Sequence, residues 1–123
     1  APLARLAASA LDRARADCLA YGTDLGRLSD RKTHALRKSL KSWRYLAEFF
    51  APCWPEDARA AERRGEFQAL QDALGILTDQ ALIRRSGAVP ATDMGARALV
   101  RAEALWAALA AEAPWWSARP VRG

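Results

Sequence analysis

Apolar positions recur at intervals of three and four along most of this 123-residue chain, the period of a helix buried on one side. Leu3, Leu6, Ala7, Ala10, Leu11, Ala14 and Cys18 predict a first helix over residues 2–21, with those positions as core. Its wet side is Arg5, Asp12, Arg13, Arg15 and Asp17, and Gly22 stops it as a natural residue just past a helix end. Leu36, Leu40, Trp43, Leu46, Ala47 and Phe50 predict a second helix over 30–50, capped by Ser29 or Asp30 and ended by Pro52 and Pro55. A third, over 56–84, opens at Pro55-Glu56-Asp57 and buries Phe67, Leu70, Leu74, Leu77 and Ala81. Inside it Gly75 costs about 1 kcal/mol against alanine. That cost predicts either close approach of another backbone or a break near Gly75 to Thr78, with Asp79 capping the continuation.

Beyond a linker at 86–91, Thr92 caps a fourth helix over 92–112 with Leu99, Ala102, Glu103, Trp106, Leu109 and Ala110 on its mixed face. Trp115 and Trp116 are adjacent and point different ways, so one is expected to close the bundle while the other meets solvent or a partner. Residues 117–123 read as a frayed tail. The fold class is all-α, an antiparallel bundle of four main helices in one domain over 1–123.

The second helix carries two incompatible faces. At about 100° per residue, its apolar stripe is opposed by Arg31, His34, Arg37, Lys38, Lys41, Arg44 and Tyr45, with Glu48 as the acidic member. His34, Lys38, Lys41 and Tyr45 stand above one another, and like charges so placed repel by a few tenths of a kcal/mol per pair. An anion relieves that repulsion; a solvated basic face is the plainer reading. Arg27, in the loop feeding the helix, extends the column. On the third helix Gln68, Asp72 and Asp79 project to one side, where Asp72 and Asp79 read as carboxylates that hold basic side chains in place.

Composition sharpens this picture. Hydrophobic residues make up 51% of the chain, its net charge is +5 and its pI near 9.9, which favours a polyanionic partner. Cys18 and Cys53, with one histidine in the whole chain, do not assemble a zinc site and read as reduced thiols in a cytoplasmic protein. No apolar run reaches the roughly 18 residues of a membrane span, and no leader is read at Ala1. Enzyme chemistry is thinly supplied: His34 is the sole imidazole, and Asp72 with Asp79 is weak evidence for magnesium, so no cofactor and no metal are expected. Among polyanions, a cationic face without aromatic platforms suits a phosphate polymer better than single-stranded nucleic acid. The absence of asparagine or glutamine among the cations disfavours duplex readout.

Two stretches carry a resemblance. Thr33-His34-Ala35-Leu36-Arg37-Lys38-Ser39-Leu40-Lys41-Ser42-Trp43-Arg44-Tyr45-Leu46-Ala47-Glu48 resembles the signature helix of the CHAD family, the conserved-histidine α-helical domain, whose pattern runs H-x-L-R-K-x-x-K-x-x-R-Y-x-x-E. Leu70-Gln71-Asp72-Ala73-Leu74-Gly75-Ile76-Leu77-Thr78-Asp79 resembles its L-Q-D-x-L-G-x-x-x-D motif. The resemblance implies two similar helical halves around a basic channel that binds inorganic polyphosphate, and a place at polyphosphate granules is consistent with it. It points to Arg27, Arg31, His34, Arg37, Lys38, Lys41, Arg44 and Tyr45 as phosphate-binding, with Gln71, Asp72 and Asp79 in support. A non-catalytic targeting or scaffold role follows; a role for His34 in phosphate-polymer turnover and nucleic-acid binding are the alternatives. This chain holds one histidine helix where the family usually has two, and it is most similar to the C-terminal half. It therefore reads as an excised half, a cleaved fragment or a short member, and a homodimer would supply the missing half.

Overall fold

Gly22 has φ of 75°, a left-handed conformation that side chains resist, and its N–H donates to the Leu19 carbonyl at 2.9 Å. That turn ends the first of four helices in a computed structural model that describes residues 2–90 and 92–116. They are α1 (Pro2–Leu19), α2 (Asp30–Phe49), α3 (Ala60–Arg85) and α4 (Thr92–Ala111), with short 3₁₀ turns at Leu25–Arg27 and Ala51–Cys53. No strand occurs among the described residues. The cap expected of the Thr92 side chain and the tail expected at 117–123 lie outside the described residues.

Successive helices pack as antiparallel neighbours: α1 on α2, α2 on α3, α3 on α4. Ala10, Arg13, Ala14 and Asp17 of α1 line one cleft with Ser39, Ser42 and Leu46 of α2. Ser29 caps α2, its hydroxyl accepting from the Lys32 N–H at 3.2 Å. The core is built around Trp43, with Leu11, Leu36, Leu40, Phe67, Leu70, Leu74, Ala102 and Trp106 also buried. Phe67 meets the Trp43 ring edge-on at 4.9 Å and Trp106 does so at 6.4 Å.

Four sequence expectations need correction. Leu3 and Leu6 are 57% and 64% exposed, because α1 turns Ala4 inward together with the expected Ala7, Leu11, Ala14 and Cys18. The third helix starts at Ala60, not residue 56: the Asp57 carboxylate accepts from the Arg59 backbone N–H at 3.3 Å and from Arg63 at 2.6 Å, holding 54–59 as turns outside the helix.

There is no break at Gly75; α3 is continuous through Asp79, which caps nothing. What approaches Gly75 is a side chain, not a backbone: a Cβ there would stand 3.4 Å from Nη2 of Arg37. Finally, both terminal tryptophans pack. Trp116 is buried and donates to Asp12 at 2.6 Å, while half-buried Trp115 stacks parallel to Trp43 at 6.1 Å.

Both cysteines are free thiols. Burial, with Asp17 adding to it, pushes the Cys18 thiol up to about 12, so it behaves as a core residue and not as a nucleophile.

Candidate functional site

The outward face of α2 exists because its inward face is fully used. Leu36, Leu40 and Trp43 are buried, and the helical period then turns Arg31, His34, Arg37, Lys38 and Lys41 to solvent. Tyr45 stands 50% exposed in the same arc. Lys41 Nζ lies 5.8 Å and Arg44 Cζ 5.0 Å from the Tyr45 ring centroid, so the ring has two cations beside it.

Within this strip the side chains differ in how firmly they are held. Arg44 is half-buried, and its Nη1 donates to Gln68 Oε1 at 2.7 Å and to Gln71 Oε1 at 2.5 Å on α3. Gln68 in turn donates through Nε2 to Asp72 at 2.9 Å. The amides that hold Arg44 are neutral, so they fix the guanidinium without cancelling its charge. Arg37 lies across the Gly75 gap one turn further along α3. An alanine Cβ there would only touch the guanidinium, so packing alone does not account for a residue that is otherwise unfavourable in mid-helix. Arg31, His34, Lys38 and Lys41 are exposed, and no carboxylate pairs with them among the described residues.

The supporting residues expected on α3 divide. Gln71 contacts the strip directly. Asp72 reaches it at one remove, through Gln68, a residue the motif reading had placed on this side without a role. Asp79 is exposed, two turns from Asp72, and meets no basic side chain among the described residues. Arg27 is engaged by Asp24 at 3.1 Å in the loop, so its charge is partly answered before any ligand arrives.

A second basic group went unread in the sequence. Near the start of α3, Arg63 is almost fully buried, donating to Asp57 at 2.6 Å and to Glu112, just past the end of α4, at 2.7 Å. Its guanidinium also lies 3.7 Å from the Trp115 ring centroid. Arg59 reaches Glu112 at 2.6 Å and Glu66 at 2.8 Å, with Glu62 at 3.5 Å. Burial works against charge on both Arg63 and Glu112, yet their mutual hydrogen bonds and attraction outweigh it. Arg63 is thereby held above the usual arginine value and Glu112 below the usual carboxylate range. Two arginines thus face four carboxylates, which leaves no positive surplus for an anion. The spacing Arg59–Arg63–Glu66 is ordinary helix-surface chemistry, and only Glu112, far along the chain, makes it a buried cluster.

No group of three or more metal-ligating side chains comes together among the described residues, and none of the helices is long and apolar enough to cross a membrane. The molecule is thus an all-α bundle that displays a cationic strip without carboxylate partners on one helix and neutralises its buried arginine with carboxylates, among the described residues. A family model, the CHAD domain, matches residues 1–86, and the chain belongs to that family. The matched segment takes in α1, α2 and α3, including both motifs; α4 lies beyond it. No curated protein and no solved structure matches the chain.

Proposed function

We propose that this chain binds inorganic polyphosphate without turning it over, as a targeting or scaffold module, through the outward face of α2. One observation carries the reading: Arg31, His34, Lys38 and Lys41 share an exposed face without carboxylate partners among the described residues, beside an Arg44 fixed by two neutral amides. Arginine supplies paired donors that fit phosphate oxygens, lysine a mobile point charge, and imidazole and phenol a directed hydrogen bond. Polyphosphate presents a charge at each phosphoryl unit along a flexible chain, and cations stacked along a helix match it without a deep pocket. The family's association with polyphosphate agrees with this.

The strip is open on one side. A second half-bundle, in the same polypeptide or a second copy of this one, would close it into a channel, with ligand and association favouring each other.

Isothermal titration with polyphosphate of defined length is the test. Lys41→Glu should weaken binding about tenfold, since it both removes a contact and adds a repulsion. Lys32→Glu, on the other side of α2, should change affinity less than threefold. Equal losses from the two would show that net charge alone, not the strip, drives binding. Phosphate release by the purified chain, abolished in His34→Ala, would replace the binding module with an enzyme.

A further inference from the structure

The strip does not end in lysines. Taking His34 as the reference direction, Lys38, Lys41, Tyr45 and Phe49 all fall within about 60° of it on the helical wheel. Phe49, the last residue of α2, is 75% exposed, its edge on Phe50 at 5.0 Å. The cationic column therefore runs into two exposed aromatic rings one helical turn apart, and the first already carries Lys41 and Arg44 against it. The expectation that this face lacks an aromatic platform fails on Phe49, which the sequence reading left outside the column.

We propose that Tyr45 and Phe49 form a base-stacking platform, so that the strip also takes single-stranded nucleic acid. Cations that track a backbone beside rings that stack bases are the two components of sequence-tolerant single-strand binding. The arrangement supplies them in order along one helix: Lys38 and Lys41 meet phosphates while Tyr45 and Phe49 meet bases. Their Cα atoms are about 6 Å apart along the axis, nearly twice the 3.4 Å rise of stacked bases in one strand. The rings therefore engage successive bases of an opened strand, not a stacked duplex. A bare phosphate chain has nothing to place on either ring. The platform therefore discriminates between two polyanions that the cations alone would treat alike.

Phe49 has one other reading. Because α1 runs antiparallel to α2, exposed Leu3 and Leu6 lie at the same end of the molecule as Phe49, and together they would suit a protein contact. Fluorescence anisotropy with the full chain separates these readings. The probes are a single-stranded oligothymidylate, an abasic oligonucleotide of the same length, and labelled polyphosphate of matched charge. The base-bearing strand should bind about tenfold tighter than the abasic one. Phe49→Ala should remove that advantage, Phe49→Trp should restore it, and neither should change polyphosphate affinity by more than twofold. Circular dichroism checks that both variants stay folded.

Equal binding of abasic and base-bearing strands, unaffected by Phe49→Ala, overturns the platform and leaves the polyphosphate reading intact. A Phe49→Ala variant that alters sedimentation and not base preference overturns it in favour of a protein contact. Base-dependent binding with no affinity for polyphosphate would sustain the platform while removing the function proposed above.

Discussion

The arginines of this bundle live in two opposite circumstances. Arg63 is buried among Asp57, Glu112 and Trp115, with its charge answered from three directions. Arg44, on α2, is held instead by Gln68 and Gln71. Carboxylates make an arginine part of the architecture; amides position it and leave its field available. The same residue type thus serves stability at one end of α3 and an open electrostatic face beside its middle. Net charge alone would not distinguish them.

The sharpest way to break that distinction is Arg63→Ala. Removing it leaves Asp57 and Glu112 as facing carboxylates with little water, which should cost about 3–5 kcal/mol in denaturant unfolding. Lys41→Glu on the open strip should stay within about 0.5 kcal/mol. If the strip variant were as destabilising as the buried one, the cations of α2 would be structural and the contrast would disappear.

Salt should separate the two groups next. Polyphosphate affinity should fall on the order of 100-fold between 50 and 200 mM salt, with a slope near 0.7 per neutralised phosphate and four to six contacts. Unfolding free energy should change little over the same range, because the Arg63 cluster is buried from counterions. Titration and urea melts across one salt series give both curves, and a flat binding profile would remove the strip from the interaction.

Acid should act in the reverse sense. The Glu112 carboxyl is held below its unfolded value near 4.3, so its contribution to stability is complete above that pH. It is lost as pH falls through the depressed folded value. Glu112→Gln should cost about 2 kcal/mol at pH 7 by weakening hydrogen bonds to Arg59 and Arg63. The gap between variant and parent should close below about pH 4. A constant gap down to the acid limit would mean the carboxylate charge is not what matters.

Gly75→Ala gives the smallest effect and the most informative sign. Alanine improves the helix by up to about 1 kcal/mol, and its Cβ presses only on the far end of the flexible Arg37 side chain. We expect a slightly higher Tm with polyphosphate affinity changed less than twofold, because that approach is an ordinary van der Waals contact. A marked loss of affinity would show that the Arg37 guanidinium depends on the gap.

Much of this was legible from residue order. The helical period located all four helices, Ser29 marked the start of α2, and the Leu36–Leu40–Trp43 stripe placed the cations of α2 on the outside, because a helix that buries one face must expose the other. The period was less informative on α1. There alanine and leucine positions overlapped on the wheel: Ala7 was read correctly, but only packing chose Ala4 over Leu3 and Leu6.

What the sequence determined by itself was therefore local: helix content, the amphipathic direction of α2, the sign of its face and the two motifs that mark the family. What only the tertiary structure decided was pairing across the chain. Glu112 lies 49 residues from Arg63, Gln68 and Gln71 lie 24 and 27 from Arg44, and Asp12 lies 104 from Trp116. No periodicity encodes such partners, since helical spacing orders neighbours within one element and helix packing chooses which elements meet. Whether a given arginine is neutralised by a carboxylate or merely steadied by an amide depends on that choice, and with it which end of the bundle is scaffold and which is a face for anions.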